Sequence, residues 1–201
     1  MRMKCARRCF GVSVLLGLAA SVGLSGCSTA TAGKDEQRSG SGRPASSVTP
    51  SDDASHAAVL AYLAFRTVSY RAEMAPDDYT TWLGKLNATA VDPARTDEEQ
   101  KLFQDRALAW AYRGTPPASR TSVQTIALDA KPYPSVVIAD CPTASATWRV
   151  FDIKKNKPLR QVFPSGTSKP PYPTTATVIY YRSHWTVQQV NTDVRRTCSG
   201  R

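Results

Sequence analysis

The sequence predicts an α+β fold: three N-terminal helices packed on one face of a curved antiparallel sheet of about four strands. Three observations predict it. Apolar residues in the front of the 51–201 region recur at helical spacing. Those in the back alternate with polar neighbours or form short runs, and turn residues divide these runs into hairpins. Helices first and antiparallel strands after gather the helices on one side of the sheet.

Ser51 suits a helix N-cap, with Asp52 and Asp53 in the first turn, where the helix dipole favours acids. Ala57, Leu60, Ala61, Ala64, Phe65 and Val68 then repeat at the spacing of one helical face, and Pro76 stops the helix. Asp77 and Asp78 open a shorter helix carrying Trp82, Leu83 and Leu86. Thr96-Asp97-Glu98-Glu99 has the form of a capping box, with Thr96 as N-cap and Glu99 at the third helical position. This third helix is expected to run through Leu102, Phe103, Ala107 and Trp110, with Gly114, Pro116 and Pro117 ending it.

Strand signals follow. Ile126 and Leu128 alternate with polar residues, and Val136-Val137-Ile138 is a short apolar run ending near Cys141. Trp148, Val150 and Phe151 lead into Lys154-Lys155-Asn156-Lys157, a polar hairpin turn. Ala176 to Tyr181, a turn at Arg182-Ser183-His184, and Trp185 to Val190 make a second hairpin. Pro164 to Pro173 is proline-rich and reads as an irregular surface loop.

The chain ahead of these elements has a different composition. Residues 1–26 carry the parts of an export signal: Arg2, Lys4, Arg7 and Arg8 form a basic n-region without acids, and Phe10 through Leu24 is apolar apart from Ser and Gly. Those 15 residues are short for a spanning helix, which needs about 20. Leu24-Ser25-Gly26-Cys27 resembles the lipobox of bacterial lipoproteins. That resemblance implies cleavage before Cys27, diacylglyceryl attachment to its thiol, and a position on the outer face of the cell membrane. Arg7-Arg8-Cys9-Phe10 partly resembles a twin-arginine export motif. Residues 27–50 form the lipidated N-terminus and a tether rich in Ser, Thr, Ala and Gly, too polar to offset chain entropy. Such a tether spans roughly 25 Å. Residues 51–201, about 150 residues, have the size of one domain and can bury roughly 70% of their unfolded surface.

Cysteine placement fits export. Cys5 and Cys9 leave with the signal, Cys27 takes lipid, and Cys141 and Cys198 remain as a pair in a chain bound for an oxidising space. A bridge between them would stabilise by about 4 kcal/mol in the chain-entropy model. A two-cysteine metal site or a redox pair is the alternative, but there is no Cys-x-x-Cys and no histidine at ligand spacing. The net charge is +10 over the full chain; residues 51–110 carry 6 basic and 10 acidic residues, and residues 111–201 carry 13 and 4. The basic back half suits anionic headgroups or wall polymers, or is a solvated face. An exported location argues against nucleic acid as a partner.

The helices, then Ala139-Asp140-Cys141-Pro142, a Trp-containing strand, Tyr180-Tyr181-Arg182-Ser183-His184-Trp185-Thr186-Val187 and a terminal Cys198 resemble small actinobacterial lipoproteins of unassigned function. Those in turn resemble the nuclear transport factor 2-like, or SnoaL-like, domain. The resemblance covers about residues 52–201 and implies a cone-shaped roll with a pocket between helices and sheet.

No catalytic residues emerge. A cone-fold enzyme needs a proton-transfer group in that pocket. His56 falls in a helix first turn and His184 in a hairpin turn, both surface positions. Asp140 and Asp152 lie on or beside strands. Nucleophile-elbow, phosphate-loop and dinucleotide fingerprints are absent from the sequence, as is any metal or cofactor motif. The candidate pocket residues are Tyr62, Trp82, Trp110, Asp140, Trp148, Tyr180 and Trp185, aromatics that serve as core or as cavity wall. Arg149, Lys154, Lys155, Lys157 and Arg160 form the densest basic cluster, a docking patch or a soluble hairpin tip. The expected function is a lipid-anchored domain that binds an envelope protein or a small apolar ligand without catalysis. A cyclase- or isomerase-like enzyme and an accessory subunit of an envelope transport complex are the alternatives.

Overall fold

A computed structural model describes residues 50–160 and 168–198. The expected signal segment, Cys27 and the tether through residue 49 lie outside the described residues. The fold is α+β, and the described residues form three helices followed by seven strands: α1 (Pro50–Met74), α2 (Tyr79–Thr89), α3 (Ala94–Leu108), β1 (Trp110–Arg113), β2 (Thr121–Ala127), β3 (Ser135–Asp140), β4 (Arg149–Asp152), β5 (Lys157–Pro158), β6 (Thr174–Tyr181) and β7 (His184–Thr192). Among the described residues, no helix is long and apolar enough to cross a membrane.

The strands form two antiparallel sheets rather than one. The larger has the order β2-β3-β6-β7, and the smaller has β1-β4-β5. In the larger sheet β3 alternates strictly, burying Val136, Ile138 and Asp140 on the face that α1 covers. Register shifts at Val123/Thr125 and Thr177/Val178 raise the local twist. The β6–β7 hairpin closes on Arg182 and Ser183, at φ 49° and 69°. Two successive left-handed residues give the turn whose twist matches paired strands. His184 therefore begins β7 instead of lying within the turn.

α1 opens on Pro50, at a position where a missing N–H costs nothing, with Asp52 and Asp53 in its first turn. Its buried stripe is Ala58, Tyr62, Phe65, Ser69 and Ala72. This shifts the expected face: Phe65 is buried and Ala61 and Val68 pack against the core, but Leu60 and Ala64 turn to solvent. Leu86 from α2, Leu102 from α3 and Val136, Ile138, Val178 and Val187 from the sheet complete the core. Full burial of each such aliphatic side chain contributes about 1.5–3 kcal/mol. Trp82 Nε1 donates to the Ala75 carbonyl just past the end of α1, at 2.9 Å, joining α2 to that end. Val91 N–H donates to Val187 O at 2.9 Å, which fastens the α2–α3 link to the exposed edge of β7.

α3 departs from expectation at both ends. The capping box does not form: the helix begins at Ala94, and the Thr96 hydroxyl donates to Asp92 Oδ1 at 2.6 Å. The helix stops at Leu108 because Ala109 turns left-handed, at φ 55°. Trp110 is thus on a strand. Gly114 serves as the exit from β1, not as a helix stop. At φ 103°, a Cβ there would lie 2.1 Å from the Thr147 carbonyl oxygen.

Candidate functional site: a cavity walled by α1, α3 and β1

Beside the core stripe of α1 runs a second one. Arg66, Tyr70 and Glu73 stand at spacings of four and three, so they share a helix face. Lys101 comes from α3, Tyr112 from β1, and Trp148 from the loop ahead of β4. Together they wall a cavity of about 490 Å³. Its mouth lies at the exposed Ala144 and Ala146, with Pro142, Ser145 and Pro170–Tyr172 lining it beside them. The volume falls within the roughly 300–1,000 Å³ typical of small-molecule sites.

The aromatic wall is ordered by its own contacts. Tyr112 stacks on Trp148 with centroids 5.2 Å apart and planes 23° apart, and Tyr70 meets Trp148 edge-on at 5.5 Å. Such contacts add about 0.5–1.5 kcal/mol beyond burial. Lys101 Nζ pairs with Glu73 Oε1 at 2.6 Å and with Asp105 Oδ2 at 3.2 Å, and lies 5.1 Å from the Tyr112 ring centroid. Burial opposes the Lys101 charge, but Glu73, Glu98 and Asp105 outweigh it and hold the ammonium above its ordinary pKa. Burial, reinforced by Glu73, pushes the Tyr112 phenol up to about 12. Glu98 lies behind this pair. Burial first, then Glu73, pushes its carboxyl up to about 7.

Arg66 donates to the Tyr70 hydroxyl and lies 4.5 Å from the same ring's centroid. It pairs with no carboxylate among the described residues, and its buried Nε has no protein acceptor.

Of the aromatic candidates, only Trp148 is a wall residue. Tyr62 and Trp82 are in the core, Trp110 is half-buried on β1, Trp185 packs against the core, and Tyr180 is exposed beside it. Asp140 is buried, but as an anchor: it accepts from Tyr62 Oη at 2.9 Å, Ser119 Oγ at 2.8 Å and Arg120 N–H at 2.9 Å. Burial raises the Tyr62 phenol pKa, and the Asp140 charge adds to it while Arg66 opposes. Asp152 caps the basic turn, accepting from Lys155 N–H at 2.9 Å. Both histidines are exposed, and neither lines the cavity. Among the described residues, no group of three or more metal-ligating side chains converges.

The basic cluster divides. Lys154, Lys155, Lys157 and Arg160 stay exposed at the β4–β5 hairpin, while Arg149 begins β4 at the opposite end and joins the cavity wall. Cys141 and Cys198 form a disulfide with Cα atoms 5.5 Å apart, directly beside the wall residue Pro142.

Arg66, Tyr70, Glu73, Lys101 and Tyr112 were not singled out by the sequence patterns. Their one signal is the Arg66–Tyr70–Glu73 spacing beside Tyr62–Phe65–Ser69, which marks a helix enclosed on two sides.

No protein-family model matches the chain, and no curated protein matches it in sequence. Among solved structures, the intermembrane space region of the chloroplast protein ARC6 is similar at a TM-score of 0.48 and 11% identity, over 70% of this chain and 96% of that one.

Proposed function

We propose that this chain is a lipid-anchored, extracytoplasmic lipoprotein whose domain binds a small ligand in the cavity between α1, α3 and β1. The tether rests on Leu24-Ser25-Gly26-Cys27 and the short apolar segment before it. One observation carries the binding half: a roomy cavity walled by Tyr70, Tyr112 and Trp148 together with charged groups. The SnoaL-like resemblance agrees with it, since a cone-shaped roll keeps its pocket between helices and sheet. Binding is favoured over catalysis because the acid in the wall, Glu73, is already held by Lys101.

Native mass spectrometry of the chain extracted from its own membranes tests this reading. A bound small molecule is expected, and it should be lost in Ala144→Trp, which blocks the mouth from an exposed loop position. No adduct, or one that persists in the blocked variant, would contradict it.

A cone-fold enzyme is the second reading, favoured by Glu73 facing the cavity beside two tyrosines and a tryptophan. It requires Lys101 to release Glu73 when substrate enters. A ligand recovered chemically altered from wild type but intact from Glu73→Gln would select it.

A further inference from the structure

Arg66 marks where a ligand would bind and by which group. Arginine carries five N–H donors and stays charged at any physiological pH. A guanidinium taken out of water needs a counter-charge or acceptors for its donors. Here Arg66 spends a donor on the Tyr70 hydroxyl, its Nε is buried without a protein acceptor, and no described carboxylate pairs with it. Glu73 acts on it through space but is committed to Lys101.

The surroundings share this imbalance. Arg66, Tyr70 and Pro117 also line a second recess of about 430 Å³ beneath residues 116–119, whose other walls include Arg71 but no acid. The cavity wall adds Arg149, while Lys101 is matched by Glu73, the one acid among the described wall residues, and by Asp105 behind it. The remaining wall carries Pro142, Pro170 and Pro171 beside Trp148, interrupted by the hydroxyls of Ser145, Thr174 and Thr192. One end thus attracts negative charge, and the rest accommodates an apolar body.

We infer that the ligand is a small soluble organic anion, whose carboxylate, sulfonate or phosphate group is received by Arg66 while its apolar body lies along the proline and tryptophan wall. This rests on the cavity being a ligand site. A phospholipid is a poor fit, since the cavity has the volume of a single drug-sized molecule.

Isothermal titration of the full chain with naphthalenesulfonate and with its neutral analogue naphthalenemethanol tests the inference. The sulfonate is expected to bind about tenfold or more tightly than the alcohol, a difference of one charge-assisted contact. Arg66→Gln should abolish that preference, bringing the two affinities together. Equal binding of both probes, or a preference that survives in Arg66→Gln, overturns anion recognition and leaves the cavity a ligand site. Binding of neither probe overturns the inference and counts against the ligand site as well. Should Arg66→Gln fail to fold, the two probes compared on the unaltered chain still decide the question.

Discussion

Tyr62 on α1 donates its phenolic hydrogen to Oδ2 of Asp140 on β3, at 2.9 Å and out of contact with solvent. This bond joins helix to sheet at the level where the cavity wall begins, since Tyr62 precedes Arg66 by one turn. Ser119 Oγ and Arg120 N–H converge on the same carboxylate. Asp140 therefore organises three segments, with three of its roughly four lone-pair sites taken.

Removing one donor should cost less than removing the acceptor. Tyr62→Phe is expected to lose about 1.5–3 kcal/mol, the range for a hydrogen bond to a charged group. Asp140→Ala strands three donors and is expected to lose more, about 3–5 kcal/mol. Urea unfolding of both variants measures the difference. Equal losses would show that Asp140 does not act as the shared anchor.

Glu98 makes stability depend on pH. The folded state keeps its proton up to about pH 7, whereas the unfolded chain releases it near its ordinary value of 4.5. Between those values the folded state binds more protons, so stability falls as pH rises and levels off above about pH 7. Glu73 and Asp105 raise the Glu98 value alongside burial, while Lys101 and Arg66 oppose them. Glu98→Gln is expected to be more stable than wild type at about pH 8, by up to about 3 kcal/mol, and to show no advantage near pH 4. Melting curves across that range check it. A variant less stable at the higher pH would show that the charged form is favoured.

The disulfide is expected to matter to both stability and the cavity mouth. Cys198 N–H donates to Pro171 O at 2.8 Å, and Pro171 is a wall residue. Loss of the bond in Cys141→Ser with Cys198→Ser should cost about 4 kcal/mol in the chain-entropy model. Unfolding with and without dithiothreitol measures this, and an unchanged midpoint would contradict it.

Cys27 is expected to carry the anchor. Two acyl chains hold a protein stably where one is marginal. Cys27→Ala should move the chain from the membrane to the soluble fraction. Continued membrane partition of that variant would refute lipid anchoring through this residue.

The fold class was legible because period and punctuation agree with it. Pro76 ends α1, and the Val136–Ile138 run and the two hairpins are strands where alternation placed them. The errors have physical causes. The buried stripe of α1 is rotated from the apolar spacing because it includes Tyr62 and Ser69, polar residues that hydropathy discounts. α3 is shorter than its sequence suggests because Ala109 turns left-handed without the glycine that signals such a turn. The site was mostly illegible. Its charged wall comes from α1, α3 and β1, and only three-dimensional packing brings Arg66, Lys101 and Tyr112 together. Aromatic content pointed to Trp148, but it pointed equally to Tyr62 and Trp82, which are core.

The central claim is that the domain works through the cavity between α1, α3 and β1 and not through its basic hairpin. Backbone amide and indole NMR shifts, recorded while a small-molecule extract of the cell envelope is titrated in, test it most directly. The predicted result is that the Trp148 indole and the amides of Tyr70, Lys101 and Tyr112 move together along one saturating curve. Shifts confined to Lys154–Arg160, or no shifts at all, would contradict it.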